Sequence, residues 1–363
     1  MKSIAILVPR FFDFNGEHII FGGAERYLVS LVNLMRKLGY RVNVFQGANK
    51  EFIRTYDGIQ FDGITEPTVY CDTYPEVNRR FHAFTTNFDY KLYFSINMCY
   101  PEVVPDSLTI SHGVWWDNPV HARYRLNEWT MVMEQCLRGP ALIVSVDTNT
   151  INWVRACLPE VEAKMVYLPN YVDANVFKPT LNKHNIFTIL VPRSLVGARG
   201  IEEAKKATEI LVRKYNNIQF VFVGRGSPEQ EAEMEKWARD VPRVKYQWFE
   251  TKDMLTAYDG VDMVLIPTKS AEGTSFSALE AMATGKLVIA GWVGGLTDLI
   301  IDSFNGFLIR VTVDSLVKKV EEVYSERNNL EHIKKQARMT ALSFSKQRWD
   351  SSWEKILKQY YPL

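Results

Sequence analysis

Residues 187–226 read FTILVPRSLVGARGIEEAKKATEILVRKYNNIQFVFVGRG. An apolar run, Phe187 to Val191, feeds a turn holding two arginines and two glycines, and that turn opens a stretch with helical character, Glu202 to Tyr215. A second apolar run, Gln219 to Val223, ends at Gly224-Arg225-Gly226. Continuous apolar runs alternating with helices across glycine turns predict parallel strands covered on both faces. The pattern extends outward. Strands are expected at Met263 to Ile266 and Leu287 to Ala290, and helices at Pro228 to Ala238, Phe276 to Ala283 and Val313 to Tyr324. Pro228 suits a first helical turn, where its missing N–H costs nothing.

The N-terminal half repeats the alternation. Strands are predicted at Ile4 to Val8, Arg41 to Phe45, Leu92 to Ile96, Leu108 to Ser111 and Leu142 to Val146. A helix fits Ala24 to Leu38, with Leu28, Leu31 and Met35 on one face and Gly39 stopping it. The segment Trp115 to Arg138 reads as helical toward its end. Between the halves, LPNYVDANVFKP at 168–179 has the prolines and asparagines of a crossing between domains. The tail from Leu330 to Tyr360 reads as two helices broken near Ser343, with Trp349, Trp353, Ile356 and Leu357 as an apolar stripe. That stripe either covers the second domain or returns to the first. The expected division is 1–170, 171–344 and a returning helix over 345–363.

The 363 residues are too many for one ordinary core and suit two α/β domains. Apolar residues are 47% and charged residues 23% of the chain, the balance of a folded enzyme. With 43 Lys plus Arg against 42 Asp plus Glu, binding of nucleic acid through bulk charge is disfavoured. No apolar run reaches the roughly 18–20 residues that span a bilayer. Cys71, Cys99, Cys136 and Cys157 lack metal-ligand spacing and read as free thiols, with two buried disulfides the alternative. The opening MKSIAILVPR enters a strand directly and does not resemble a signal peptide, so a cytoplasmic location is the expectation.

In open parallel sheets ligands bind beyond the carboxyl ends of the strands. Four turns there carry chemistry. Gly22-Gly23-Ala24-Glu25 opens a helix whose free N–H groups would face an anion. Arg193 and Arg199 flank a glycine-bearing turn, and guanidinium forks suit paired phosphates. No Gly-Lys-Ser/Thr follows, so the segment is not a P-loop. Gly224-Arg225-Gly226 is either a tight turn or a close approach to a flat or charged ligand. The stretch Ser270 to Glu280 places Glu272 in a loop, Gly273, Thr274, Ser275 and Phe276 at a helix start, and Glu280 within that helix among apolar neighbours. A carboxylate accepts hydrogen bonds in pairs, as vicinal sugar hydroxyls require. His112 follows a first-domain strand and is placed to donate a hydrogen bond to a ligand; His18, His82, His121, His184 and His332 read as surface or packing residues. No metal-binding pattern or Asp-x-Asp occurs.

In their order these motifs resemble the retaining glycosyltransferases of nucleotide-sugar family 4, over most of the chain. Gly22-Gly23-Ala24-Glu25 is similar to the family's donor-facing turn. Arg193 with Arg199-Gly200 is similar to its Arg and Lys-Gly phosphate grip, Arg replacing the usual Lys. Glu272 and Glu280 match its two glutamates, and Ala281-Met282-Ala283-Thr284-Gly285, Gly294-Gly295, Asn305-Gly306 and Asn170 to Pro179 continue the signature. Thr274-Ser275 replaces the common Phe-Gly, Leu287 the common Pro and Asp298 a frequent Glu. The resemblance implies the GT-B architecture of two facing Rossmann-like domains. It also implies retention of anomeric configuration without a metal or resident cofactor.

By the same resemblance the donor is a nucleotide-diphosphate sugar, UDP- or GDP-linked. Glu280 would hold the ribose and Glu272 the donor sugar. Gly273 to Phe276 would help bind sugar and diphosphate, Arg193 and Arg199 would neutralise the leaving diphosphate, and His112 would act near the anomeric carbon. Gly224, Arg225 and Trp248-Phe249 would form the nucleotide side. The acceptor, a saccharide or lipid-linked glycan, would lie over the first domain. Glu76 to Tyr100 with Arg79 and Arg80, and Trp115, Trp116, Tyr124 and Arg125, are the candidates there. A lipid-linked acceptor would bring peripheral contact with the inner face of a membrane. The rival readings are an inverting transferase with Asp13 as base, an epimerase-hydrolase or phosphorylase, and a non-catalytic sugar-binding protein. A dinucleotide oxidoreductase is disfavoured because no Gly-x-Gly-x-x-Gly opens either first helix.

Overall fold

The computed structural model describes residues 1–20, 22–117, 122–179, 185–248 and 254–363; His121, His184 and Phe249, named above, lie outside the described residues. The chain divides into two compact units, one of residues 1–169 with 347–363 and one of residues 170–346.

The first unit carries strands β1 (Ser3–Leu7), β2 (Arg41–Gln46), β3 (Phe52–Tyr56), β4 (Ile59–Gly63), β5 (Tyr90–Tyr93), β6 (Leu108–Ser111), β7 (Leu142–Ser145) and β8 (Met165–Tyr167). Its first five helices are α1 (Gly23–Lys37), α2 (Pro75–Phe84), α3 (Asn127–Arg138), α4 (Thr148–Cys157) and α5 (Pro159–Glu162). The eight strands form one sheet in the order β3-β4-β2-β1-β5-β6-β7-β8. All pairings are parallel except the β3–β4 edge hairpin. The order reverses between β1 and β5, whose register sets Ile4 beside Tyr90.

The second unit carries β9 (Phe187–Pro192), β10 (Ile218–Val223), β11 (Val244–Gln247), β12 (Met263–Ile266), β13 (Leu287–Gly291) and β14 (Phe307–Ile309). Its helices are α6 (Ile201–Lys214), α7 (Pro228–Asp240), α8 (Met254–Ala257), α9 (Phe276–Ala283), α10 (Val313–Glu326) and α11 (Glu331–Ser343). The sheet order is β11-β10-β9-β12-β13-β14, parallel throughout, with the reversal between β9 and β12. Ile189, Val191, Met263, Leu265 and Ile289 belong to one apolar core, and Leu190, Val264, Ile266 and Val288 to the other. Alternate side chains leave opposite faces of a strand, so an all-apolar run is what two covered faces demand.

The last helix, α12 (Lys346–Tyr360), begins at the unit boundary and lies otherwise in the first unit. Trp349, Trp353 and Leu357 are buried at the spacing of one helix face. Trp353 Nε1–H donates to the Tyr27 hydroxyl at 2.8 Å, and Tyr361 stacks on Tyr90 with ring centroids 4.5 Å apart. The Tyr361 hydroxyl accepts from Leu108 N–H at 3.0 Å.

Several elements differ from expectation. The β3–β4 hairpin, β8, β11, β14, α2 and α4 were not foreseen in the sequence; most are short or half-exposed, while β4, with Ile59 and Phe61 alternating, and α2, with Val77, Phe81 and Phe84 on one face, carry a pattern that could have found them. The predicted strand Leu92 to Ile96 is displaced to Tyr90–Tyr93, and the chain coils into a 3₁₀ turn over Ile96–Cys99. The four cysteines are free thiols, so the disulfide alternative is set aside.

Candidate active site

Arg193 leaves β9 and the Thr268–Glu272 loop leaves β12, the two strands between which the order of the second sheet reverses. Loops diverge at such a point and open a crevice at the strand ends. There one buried carboxylate meets two guanidiniums. Glu272 Oε1 lies 3.2 Å from Arg193 Nη2, and Oε2 is bonded to Arg199 Nη1. Arg199 Nη1 also donates to the Ala271 carbonyl at 2.9 Å, and Arg193 Nη2 to Ser275 Oγ at 3.2 Å. Burial alone would push the Glu272 carboxyl up, but the two guanidiniums and Ser275 outweigh it and hold it below the usual range. Burial draws the Arg193 guanidinium down against the pull of Glu272.

The balance of charge is informative. Two guanidiniums against one carboxylate leave an excess positive charge in a site where Arg193 has 9% of its side chain exposed. Among the described residues Arg193 Nε–H is buried without a partner. An unpaired buried donor beside uncompensated charge is costly unless an anion completes it.

Ser275 caps α9, its side chain accepting from Ala278 N–H, so the start of that helix faces the same cluster through Ser275. The preceding loop is clamped by Asn170, whose backbone N–H donates to Thr274 Oγ1 at 2.8 Å and whose side-chain amide donates to the Thr274 carbonyl. Gly294 and Gly295 lie directly behind this loop. A Cβ on Gly294 would sit 2.0 Å from the Glu272 carbonyl oxygen, and one on Gly295 2.4 Å from Thr274 N. Only glycine allows that approach.

The other expected residues divide. Gly273, Thr274, Ser275 and Phe276 are brought to the cluster by chain continuity; Phe276 is buried and packs edge-on against Tyr171 at 5.4 Å. Glu280 is 1% exposed, and its Oε2 accepts from the Tyr258 hydroxyl at 2.8 Å. Tyr258 also contributes electrostatically at Arg193. No motif announced Tyr258. Gly224 packs against the site's own backbone, since a Cβ there would lie 1.9 Å from the Arg193 carbonyl oxygen; it supports the loop from behind. Arg225 is bound to Glu231 at 2.5 Å and lies over the Trp248 ring at 4.4 Å, outside the Glu272 cluster.

Gly22, Gly23 and His112 belong to the first unit. Gly22 caps α1, its N–H donating to Glu25 Oε2 at 2.8 Å, and burial pushes the Glu25 carboxyl up to about 7. His112 packs against Phe94 and Tyr27, with Nε2 2.9 Å from the Phe94 carbonyl. Burial lowers its pKa to about 4. A neutral imidazole donating through Nε2 keeps Nδ1 as an acceptor. With Nε2 engaged by the Phe94 carbonyl, Nδ1 is the ring nitrogen left to meet a ligand.

Residues 173–340 match the family described as glycosyl transferases group 1. Over 346 residues, 93% of this chain and 96% of the relative, the sequence is 20% identical to an uncharacterized glycosyltransferase of Haemophilus influenzae. The fold is similar to that of sucrose-phosphate synthase from Thermosynechococcus elongatus, with TM-score 0.79, 16% identity and 99% of each chain covered. It is also similar to the Anabaena protein HepE in complex with UDP and glucose, with TM-score 0.74, 14% identity, and 99% of this chain and 100% of that one covered. The fold is that of two Rossmann-like α/β units of the GT-B kind, and the matched family segment lies in the second unit.

Proposed function

We propose that this protein transfers a sugar from a nucleotide-diphosphate sugar, UDP- or GDP-linked, to a hydroxyl of a saccharide or lipid-linked glycan, with retention of configuration and without a metal. The observation that carries the reading is the Arg193–Glu272–Arg199 cluster, with its surplus positive charge and the unpaired Arg193 Nε–H. A leaving diphosphate gains negative charge as the glycosidic bond breaks. Fixed guanidiniums that already face it stabilise the transition state more than the ground state. They supply the charge that a divalent cation would otherwise bring. Glu272 orients both arginines in the resting site and offers carboxylate oxygens to the donor sugar's hydroxyls. Glu280, oriented by Tyr258, holds the ribose, and His112 accepts a hydrogen bond through Nδ1.

Retention draws support from Asp13, the carboxylate an inverting route would use as base. It accepts backbone N–H bonds from Asn15 at 3.1 Å, Glu17 at 2.9 Å and His18 at 3.1 Å, and it pairs with His18 Nδ1 at 2.9 Å. Burial pushes Asp13 up, but these bonds outweigh it and leave a lowered pKa, which suits a loop clamp better than a proton acceptor. Among the described residues no helix is long and apolar enough to cross a membrane. A cytoplasmic enzyme that meets any lipid-linked acceptor at the inner membrane face is consistent with that.

Titration with UDP-, GDP- and ADP-sugars in EDTA tests the reading. Saturable binding of one of them, lost in Arg193→Ala, together with a product whose anomeric configuration matches the donor's by NMR, is the expected result. Failure of every nucleotide sugar to bind folded protein sinks it.

A further inference from the structure

The first unit holds an open cavity of about 310 Å³, at the lower end of the ~300–1,000 Å³ usual for ligand pockets. Asp72, Tyr74, Asn97, Trp115, Arg123 and Tyr124 line it. Ser95 and Asn97, also in its wall, follow β5, one of the two strands at which the order of this sheet reverses. It therefore occupies in the first unit the topological place that the Glu272 cluster occupies in the second.

Three features of the wall are unusual. Cys71 and Asp72 have positive φ, +46° and +63°, in the turn between Tyr70 and Thr73. Consecutive non-glycine residues in that region are strained and persist only where their surroundings hold them. Here the surroundings do. The Asp72 carbonyl accepts from Asn97 Nδ2 at 2.7 Å, and its carboxylate meets Trp129 Nε1–H at 3.2 Å and Arg123 Nη2 at 2.9 Å. Secondly, two buried polar atoms of the lining residues lack partners among the described residues: Trp115 Nε1–H, a donor, and Asn97 Oδ1, an acceptor. Thirdly, among the described lining residues Arg123 is the one cation, and it is paired with Asp72.

A hydroxyl both donates and accepts, so it answers an orphan donor and an orphan acceptor together. Aromatic rings from Tyr74, Trp115 and Tyr124 give the apolar faces that a pyranose ring covers. Among the described lining residues the one cation is already paired, and Arg10 acts on Tyr74 from outside the lining, so the lining itself has little hold on a phosphate or carboxylate. We infer that this cavity binds a neutral pyranose and, resting on the transferase reading above, that the acceptor presents an uncharged sugar residue here. The phosphate-facing role considered for Arg79 and Arg80 fits less well. Arg79 lies 3.6 Å from Glu76 and Arg80 lies 3.5 Å from Glu51, both at exposed positions.

Saturation-transfer NMR on the whole chain tests this with methyl glycosides of glucose, galactose, mannose and N-acetylglucosamine, against glucose 6-phosphate and glucuronate. At least one neutral glycoside should bind saturably and more tightly than either anion. Trp115→Phe, which keeps the ring and removes the N–H, should weaken it by about fivefold, the loss of one ordinary hydrogen bond. Tyr124→Ala, at a half-exposed ring, gives the same readout should Trp115→Phe fold poorly. Tighter binding of an anionic sugar, or no saccharide binding at all, overturns the inference. The same samples are titrated with UDP and GDP. Nucleotide binding without saccharide binding removes this site and leaves the transferase reading standing. Saccharide binding without nucleotide binding keeps the site and removes that reading.

Discussion

The two units present opposite chemistry at equivalent places in their sheets. At the reversal of the second sheet stands a buried ion cluster, Arg193–Glu272–Arg199, built from fixed charge. At the reversal of the first lies a cavity of rings and neutral hydrogen-bonding groups in which, among the described residues, the ion pair Arg123–Asp72 is internally balanced. One scaffold thus offers electrostatics on one side and shape with hydroxyl-directed hydrogen bonds on the other. A nucleotide sugar carries its charge in the diphosphate, and a neutral glycan carries none.

The largest effect separates the charged site from the neutral one. Arg193→Ala should lower kcat/KM by about 10²–10³, the range for removing one donor to a developing anion, while acceptor-sugar binding by NMR stays unchanged. Glu272→Gln in the same cluster should lower Tm, because the buried Arg193 and the partly exposed Arg199 guanidiniums lose their counter-charge, and UDP or GDP should restore more of that loss than it adds to the parent protein. Equal stabilisation of both by nucleotide would break the comparison.

An intermediate effect appears in the pH dependence of Tm, and it tests the first unit alone. His112 titrates near 4 when folded and near 6.5 when unfolded, so below about 6.5 the unfolded chain binds the extra proton and stability falls as pH drops toward 4. Glu25 behaves oppositely. Its folded pKa of about 7 exceeds the unfolded value, so its contribution is lost as pH rises from about 4.5 to 7. His112→Asn should therefore flatten the gain of Tm with pH, and Glu25→Gln should steepen it. Unchanged slopes in both variants would show that neither group is held as described.

The smallest effect sharpens the neutral side. Arg79→Ala and Arg80→Ala break exposed ion pairs and should each change stability by no more than ~0.5 kcal/mol. Acceptor KM should move less than about twofold in each. A tenfold rise would mean that the first unit reads an anion after all.

Legibility in the sequence follows the same division. Charge-bearing residues of the second unit fall in compact windows, 193–200 and 270–280, because each window is the single turn after one strand. A turn there must supply glycine, a helix cap and a ligand-facing side chain within a few residues. Gly294-Gly295 stood out for a reason that only the fold supplies, the backbone of Glu272 to Thr274 pressed against it. Tyr258 was invisible, because nothing local distinguishes a tyrosine that reaches Glu280 from one that fills a core. The cavity of the first unit was half legible. Trp115, Tyr124 and the segment holding Asn97 were flagged as candidates, but Asp72 was not, since its importance lies in a positive φ and in partners far along the chain. The short strands were missed on the same ground: β11 and β14 are defined by their neighbours in the sheet and have little pattern of their own.

The returning helix has a consequence for synthesis. The chain that completes the first unit, from Trp349 to Tyr361, leaves the ribosome only after all of residues 170–346. Until then the surface that Tyr27, Tyr40 and Tyr90 present to those rings stays uncovered, with the Tyr40 hydroxyl lacking the Tyr361 carbonyl it meets at 2.5 Å. The second unit, continuous in sequence, can finish folding while the first still waits. A nascent chain stalled near residue 345 would be half native and half adhesive, and any chaperone demand should concentrate on the half made first.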